Sequence, residues 1–139
     1  YLLCAHTHLP GEFSYMGKHY FNSGCVGIAI GDAGLAQCIL LQSAEEKGKV
    51  VWKPQFLKIP YDNHKVAEDM KSGGLLDYAP WFTNSNLYNI LTGTDHSAQM
   101  AALAGKLAAE ENPQAKWPLI EEKYFELAAE YYGIPDYRK

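Results

Sequence analysis

The sequence predicts an α+β fold, with an antiparallel β meander over residues 1–60 followed by helices over residues 61–139. Short apolar segments separated by Gly-rich and polar turns fill the first part, which is typical of antiparallel strands. In the second part, apolar residues recur at i, i+3, i+4 and i+7, as in amphipathic helices; one such series is Met100, Leu103, Ala104 and Leu107.

The predicted strands are short and joined by turns. The opening residues 1–8 form an apolar strand, and residues 13–20 form a hairpin with Gly17-Lys18 as its turn. Further strands are predicted at residues 26–30, 35–42 and 49–59, joined by turns at residues 31–34 and 45–48, with Pro54 marking an edge or a bulge in the last strand.

Capping residues delimit the predicted helices. Asp62 suits the N-cap of a short helix that stops at Gly73-Gly74. Residues 75–91, rich in aromatic residues and Asn, predict short helices whose aromatic rings pack in the core. Two longer helices follow: the first is capped by Thr94-Asp95 and ends at Asn112-Pro113, and the second has Pro118 in its first turn and ends at Gly133.

Composition narrows the class of protein. The chain has 139 residues, 47% of them hydrophobic, and a net charge of −4 without a basic cluster, which argues against nucleic acid as the main partner. No apolar run reaches the length of a membrane span. Cys4, Cys25 and Cys38 lack metal-binding spacing, so we expect buried free thiols in a cytoplasmic protein.

The first ten residues contain a His-x-His pair at the end of the apolar run. In an extended strand, His6 and His8 would share one face with their Cα atoms roughly 6.5–7 Å apart. Two imidazoles so placed can converge on one metal or on a pair of metals. The alternative is a strand edge with two half-exposed histidines and no ligand.

A second segment strengthens the metal hypothesis. The segments Cys4-Ala5-His6-Thr7-His8-Leu9-Pro10 and Asn22-Ser23-Gly24-Cys25-Val26-Gly27, separated by the predicted hairpin, resemble the last two signature blocks of the calcineurin-like metallophosphoesterases. The family pattern is Gly-His-x-His followed by Asn-Pro-Gly-Ser-Val-Gly. Three positions depart from it: Ala5 replaces Gly, Ser23 replaces Pro and Cys25 replaces Ser.

The resemblance covers about the first 60 residues and implies the C-terminal part of the family's α/β/β/α sandwich. It implies that His6 and His8 are ligands of a dinuclear centre of Mn, Fe, Zn, Ni or Co. It also implies that Asn22, Gly24 and Cys25 lie in a turn beside the centre. In this family a metal-bridging hydroxide attacks phosphate mono- or diesters, in small molecules or in phosphoproteins.

The family's other ligand blocks do not precede residue 1, and the chain opens inside a predicted core strand. We therefore expect a fragment of a longer hydrolase, in which two histidines alone bind metal weakly and give no useful turnover. The role of the helices after residue 75 and the oligomeric state stay open.

Three other classes of function remain as alternatives. The chain can be a non-catalytic interaction domain with an incidental His pair, or a mononuclear metal-binding module. Residue types alone also permit a hydrolase with Cys25 as nucleophile and His19 as base, although the sequence places no third orienting group.

Three motifs are interpreted as structural. Asp62-Asn63-His64 spells Asp-x-His but precedes a helix, so we expect a cap. The Gly31–Gly34 segment lacks the Lys-Ser/Thr of a phosphate loop and is predicted to be a hairpin turn. His96 is expected to be a surface or capping residue.

Overall fold

Five strands precede five helices along the chain, as the sequence predicted for an α+β protein. The structure is a computed structural model that describes residues 1–139. The strands are β1 (Leu2–Cys4), β2 (Gly11–Tyr15), β3 (Lys18–Asn22), β4 (Leu35–Glu46) and β5 (Lys49–Pro60); the helices are α1 (Asn63–Ser72), α2 (Leu75–Tyr78), α3 (Pro80–Thr92), α4 (Ser97–Glu111) and α5 (Glu122–Tyr131).

The first three strands form one sheet in the order β1-β3-β2. Strands β2 and β3 are antiparallel and joined at Met16-Gly17, one residue earlier than predicted, where φ values of 49° and 72° fit a two-residue hairpin turn. The predicted meander is wrong at β1, which pairs parallel to β3 with Leu3 opposite Phe21. The chain reverses direction between β1 and β2 and again between β2 and β3, so β1 and β3 run in the same direction.

The second sheet is a single long hairpin of β4 and β5, each of 12 residues. Pro54 lies opposite Leu41 without interrupting the register, which a two-stranded sheet tolerates because each strand has a free edge. The strand predicted at residues 26–30 does not form. Side chains take amides here instead: Ile28 N donates to Cys25 Sγ, and Cys25 N, just before the segment, donates to Gln37 Oε1. The Gly31–Gly34 segment is therefore a turn, but not the turn of a hairpin.

The helix boundaries follow the predicted caps in part. The Asp62 carboxylate accepts a 2.9 Å hydrogen bond from Lys65 N at the start of α1, as expected for an N-cap. The prediction that Pro118 lies in a first helical turn is wrong, because α5 begins at Glu122. Leu119 N bonds instead to the carbonyl oxygen of Lys116, so Pro118 lies inside a turn that precedes the helix.

Small side chains bring the last helices together. Ala104 and Ala108 of α4 and Ala128 of α5 are fully buried, and Trp81 of α3 packs in the same cluster. A separate, smaller cluster joins α1, α2 and α3 through Ala67, Leu76 and Leu87. The core of the molecule thus lies among the helices and not within the sheets.

Residues 23–34, between β3 and β4, are hydrogen-bonded to residues at the start of the helical part and at the end of α3. Tyr61 Oη donates to the carbonyl oxygen of Gly27 at 3.1 Å, and Gly31 N donates to that of Gly93 at 2.7 Å. Gly93 has a φ of 74°, and a Cβ there would lie 3.0 Å from Ala33 N. The left-handed backbone and this close approach both favour glycine at the C-cap of α3.

The three-stranded sheet is largely uncovered. All three residues of β1 are exposed, so the prediction of a buried opening strand is wrong for this chain, and Phe21 of β3 is the one strand residue of this sheet that is buried. Tyr1, Phe13 and Tyr15 expose more than half of their surface. No helix is both long and apolar enough to cross a bilayer.

The aromatic segment of residues 75–91 divides between core and surface. Trp81 is buried, as predicted, but Tyr78 and Phe82 are 92% and 67% exposed, so core packing holds for only part of the segment. Helix α3 instead buries polar side chains, among them Asn84 and Asn89. The physical reason is position: α3 contacts α1, α2, α4 and α5, so most of its faces are covered whatever residues they carry.

Candidate metal centre

The His-x-His pair lies in a loop directly after β1 and not within an extended strand. His6 and His8 have φ values of 79° and 57°, so the strand geometry expected from the sequence is wrong. Left-handed backbone costs a non-glycine residue roughly 1–2 kcal/mol, and histidine tolerates it better than most residues. Two such residues separated only by Thr7 indicate a loop whose shape is imposed by its surroundings.

Asn22, at the end of the neighbouring strand β3, contacts the loop that carries the two histidines. Its side-chain amide donates to Thr7 Oγ1 at 2.9 Å and to the carbonyl oxygen of Ala5 at 3.3 Å. Its side-chain oxygen accepts a 3.0 Å hydrogen bond from Gly24 N. One carboxamide therefore joins the loop that carries both histidines to the turn that follows β3.

Gly24 and Gln37 fix that turn in place. Gly24 has a φ of 80°, and a Cβ there would lie 2.8 Å from Gln37 Cβ and clash with Gln37 Oε1, so a side chain is excluded. Gln37 is 3% exposed, accepts from Cys25 N at 3.1 Å and donates to Asp32 Oδ2 at 2.7 Å. The predicted near-site residues Asn22, Gly24 and Cys25 thus belong to one hydrogen-bonded unit.

The two imidazoles have the donor chemistry of metal ligands. The His6 ring is exposed, the His8 ring is half-buried, and neither makes a hydrogen bond within the chain, so both can present a nitrogen to a cation. No group of three or more His, Cys, Asp or Glu side chains gathers anywhere in the structure. The loop therefore offers two imidazole nitrogens, and no His, Cys, Asp or Glu of this chain joins them to make a group of three.

The alternative nucleophile pair is not assembled. His19 Nδ1 lies 3.0 Å from Ser14 Oγ, and the ring stacks on Tyr1 at 5.2 Å between centroids. Cys25 Sγ accepts from Ile28 N, so neither group is hydrogen-bonded to the other. The expectation of buried thiols is wrong as well, since Cys4 is exposed and Cys25 and Cys38 are half-buried, although all three are free.

Two further histidines lie away from the loop. His64 is exposed in the first turn of α1, beside the Asp62 cap. His96 is the N-cap residue of α4, as expected for a capping residue, but its side chain makes no cap hydrogen bond and stacks between Tyr88 and Tyr132. In its place, Asp95 Oδ1 accepts from Ser97 N at 2.8 Å.

The carboxylate of the Gly31–Gly34 turn is used structurally. Asp32 accepts hydrogen bonds from Lys58 Nζ and Gln37 Nε2, each at 2.7 Å. The bond from Lys58, and then that from Gln37, lower the pKa of Asp32. An ionised carboxylate in this turn repels phosphate, which agrees with interpreting the segment as a structural turn.

Two residues of this unit, Thr7 and Gln37, were not predicted from the sequence. An extended strand would point Thr7 away from the face that His6 and His8 share, whereas the Thr7 hydroxyl, between the two histidines in the chain, accepts a hydrogen bond from Asn22. Gln37 interrupts the apolar run of residues 35–41 at the start of β4, and this was the available signal that its side chain has internal partners.

Comparison with protein-family models, with curated proteins and with solved structures gave no match for this chain.

Proposed function

We propose that this chain is the C-terminal part of a metal-dependent phosphoesterase of the calcineurin-like class, in which His6 and His8 hold metal. In this proposal residues 1–60 are the C-terminal β part of an α/β/β/α sandwich, and residues 61–139 are a helical extension packed on it. The substrate is a phosphate mono- or diester, in a small molecule or a phosphoprotein.

One observation carries the proposal: the hydrogen bonds of Asn22 to the His-x-His loop and to Gly24. The two segments whose residues resemble the signature blocks are 15 residues apart at Thr7 and Asn22, yet they are in direct contact. The left-handed backbone of His6 and His8 is a second observation that supports the proposal.

The ligand count and the exposed sheet support a larger site. Two metals need at least about eight coordination positions if both are tetrahedral, and this loop supplies two nitrogens. Strand β1 pairs parallel to β3 and is exposed, whereas parallel sheets are normally covered on both faces. Further polypeptide on this face would bury the apolar side chains and supply the missing ligands.

The residues of the loop have separate roles in the proposal. Bound divalent cations would supply Lewis acidity that polarises a phosphate ester and lowers the pKa of water. His6 and His8 each present one neutral imidazole nitrogen. Asn22 is a positioning residue, because it touches the loop through Thr7 and Ala5 rather than through either ring.

The test is Mn²⁺-dependent hydrolysis of an aryl phosphate, measured on the 139-residue chain and on the longer polypeptide that the proposal requires. We expect activity in the longer polypeptide, its loss in the His6→Ala and His8→Ala variants, and no change in the His64→Ala control. We expect no useful turnover in the 139-residue chain. A gene product that lacks upstream Asp-x-His and Asn-His residues, or full activity of the His6→Ala variant, would contradict the proposal.

A non-catalytic interaction domain is the second candidate, and the exposed aromatic side chains Tyr78 and Phe82 favour it. Monomers rarely expose large apolar patches without a partner. This candidate predicts that changing His6 and His8 leaves every binding property of the protein unchanged.

A further inference from the structure

A short segment that follows α5, residues 136–139, lies against the helices and is called the strap here. Its main polar contact is Asn84 of α3, whose side chain is fully buried. The Asn84 carboxamide donates to Asp136 Oδ1 at 3.4 Å and accepts a 3.1 Å hydrogen bond from Tyr137 N. Both ends of one buried side chain are therefore bonded to the strap.

The ring of Tyr137 enters an apolar pocket beside this carboxamide. It packs against the small cluster formed by Ala67, Leu76 and Leu87. The Lys71 ammonium lies 5.5 Å from the centre of the ring, within the range of a cation–π contact. Helices α1, α2 and α3 thus form a groove that receives one tyrosine side chain, and we call it the strap groove.

Arg138 adds a charged contact to α5 and an aromatic contact to α3. Its Nη1 donates to Glu122 Oε1 at 3.2 Å, and its guanidinium carbon lies 5.2 Å from the centre of the Trp81 ring. A cation above an aromatic face is attracted to it at this distance. The groove and its rim therefore recognise a tyrosine that an acidic residue precedes and a basic residue follows.

The strap can leave the groove without breaking a helix. No backbone–backbone hydrogen bond joins residues 135–139 to the rest of the chain, and the one within the strap runs from Lys139 N to the carbonyl oxygen of Asp136. The residue before this segment is anchored differently: Ile134 is 5% exposed, and its amide donates to the carbonyl oxygen of Ala129. Withdrawal of the strap therefore leaves the end of α5 in place.

From these contacts we propose that the strap exchanges between two copies of this chain, so that residues 136–139 of one copy occupy the strap groove of the other. A second copy carries the same segment, so its strap reproduces each contact with Asn84, Glu122 and Trp81 and requires no new complementarity. The exchange involves residues remote in sequence from the His-x-His loop and is independent of any metal.

Tethering determines the concentration at which exchange occurs. A segment joined to its own groove by a short connection competes at an effective concentration in the millimolar range. The parent chain should therefore exchange its strap only at protein concentrations of about that order. Weakening the competition within each copy should bring association to much lower concentrations.

A mixture of two variants removes this competition. The Tyr137→Ala chain keeps its groove but loses the ring of its strap, and the Asn84→Leu chain keeps its strap but loses the carboxamide of its groove. We expect sedimentation velocity, well below millimolar protein, to show a 1:1 complex in the mixture and monomers of each variant alone. Monomers in a mixture of two variants that circular dichroism shows to be folded would overturn the proposal.

A synthetic peptide of residues 133–139 tests the groove without the second variant. We expect NMR titration to show at least about tenfold tighter binding to the Tyr137→Ala chain than to the parent, because the tethered strap of the parent competes. The Tyr131→Ala chain, which loses a 76% exposed ring of α5, is the matched control and should bind like the parent. The peptide that itself carries Tyr137→Ala should not bind.

Three results of the titration would contradict the account. They are no binding of the peptide to the Tyr137→Ala chain, equal binding to this chain and to the parent, and equal binding of the two peptides. Binding of the peptide without association of the two variant chains would assign the groove to a segment of another protein, and the exchange between copies would be wrong.

Discussion

The Asn22 side chain lies 2.9 Å from the Thr7 hydroxyl, and this hydrogen bond joins the end of β3 to the loop between His6 and His8. Through its side-chain oxygen, Asn22 also accepts a hydrogen bond from Gly24 N. The shape of the candidate metal site therefore depends on a residue that is not itself a candidate ligand.

Removing this side chain should destabilise the protein. In the Asn22→Ala variant two donated bonds and one accepted bond are lost, so we expect the free energy of unfolding in urea to fall by about 1–3 kcal/mol. The Asn22→Asp variant retains the acceptor for Gly24 N, so its free energy of unfolding should lie between those of the parent and of Asn22→Ala. An Asn22→Ala variant as stable as the parent would show that the contact does not hold the loop.

Gly24 should be intolerant of any side chain. Its φ of 80° and the close approach of Gln37 predict that Gly24→Ala lowers the free energy of unfolding by about 2–4 kcal/mol. Gly27→Ala is the matched control, since a Cβ there meets nothing within 4 Å. Equal urea midpoints for the two variants would contradict the packing described for this turn.

Two asparagines on α3 should respond oppositely to the same substitution. Asn89 is 1% exposed and neither side-chain polar atom has a partner, so Asn89→Leu should stabilise the protein by about 1–3 kcal/mol. Asn84 is also buried, but it accepts from Tyr137 N at 3.1 Å. The Asn84→Leu variant leaves the Tyr137 amide unpaired and should destabilise the protein. The measurement is the thermal unfolding of both variants. Destabilisation by Asn89→Leu as well would contradict the account of Asn89.

Acid should destabilise the C-terminal turn. The hydrogen bond from the Arg138 side chain, and beyond it that from Asn84, hold the pKa of Asp136 well below its ordinary value. Because the pKa is lowered in the folded state, this stabilisation is complete above about pH 4, near the pKa of an unfolded aspartate, and is lost as the pH falls further. Between pH 5 and pH 2 the parent should therefore lose more of its free energy of unfolding, measured in urea, than the Asp136→Asn variant. An equal loss in the two proteins over this pH range would contradict the prediction.

The sequence predicted the elements whose signals are local. Capping by Asp62, the β2–β3 hairpin and the apolar stripe of α4 all depend on residues within a turn or two of each other, and all three are present. The α+β class follows from such signals. Their reliability comes from short-range hydrogen bonding and periodicity, which one sequence contains in full.

What was missed depends on contacts between distant residues. Val26 to Ile30 has the composition of a strand, but the amides that flank it, of Cys25 and Gly31, bond to the Gln37 side chain and to the carbonyl oxygen of Gly93. His6 and His8 were placed on an extended strand because their spacing allows it, whereas the bond from Asn22, 15 residues away, accompanies a left-handed loop. Neither contact leaves a periodic signal in the sequence.

The most direct test of the central claim is paramagnetic broadening of the histidine ring resonances by Mn²⁺ in the 139-residue chain. We predict that His6 and His8 broaden at the lowest metal concentration, that His64 and His96 broaden later, and that Asn22→Ala weakens the effect at the first pair. Broadening that begins at His64, or that affects all five histidines equally, would contradict the assignment of this loop as a metal site.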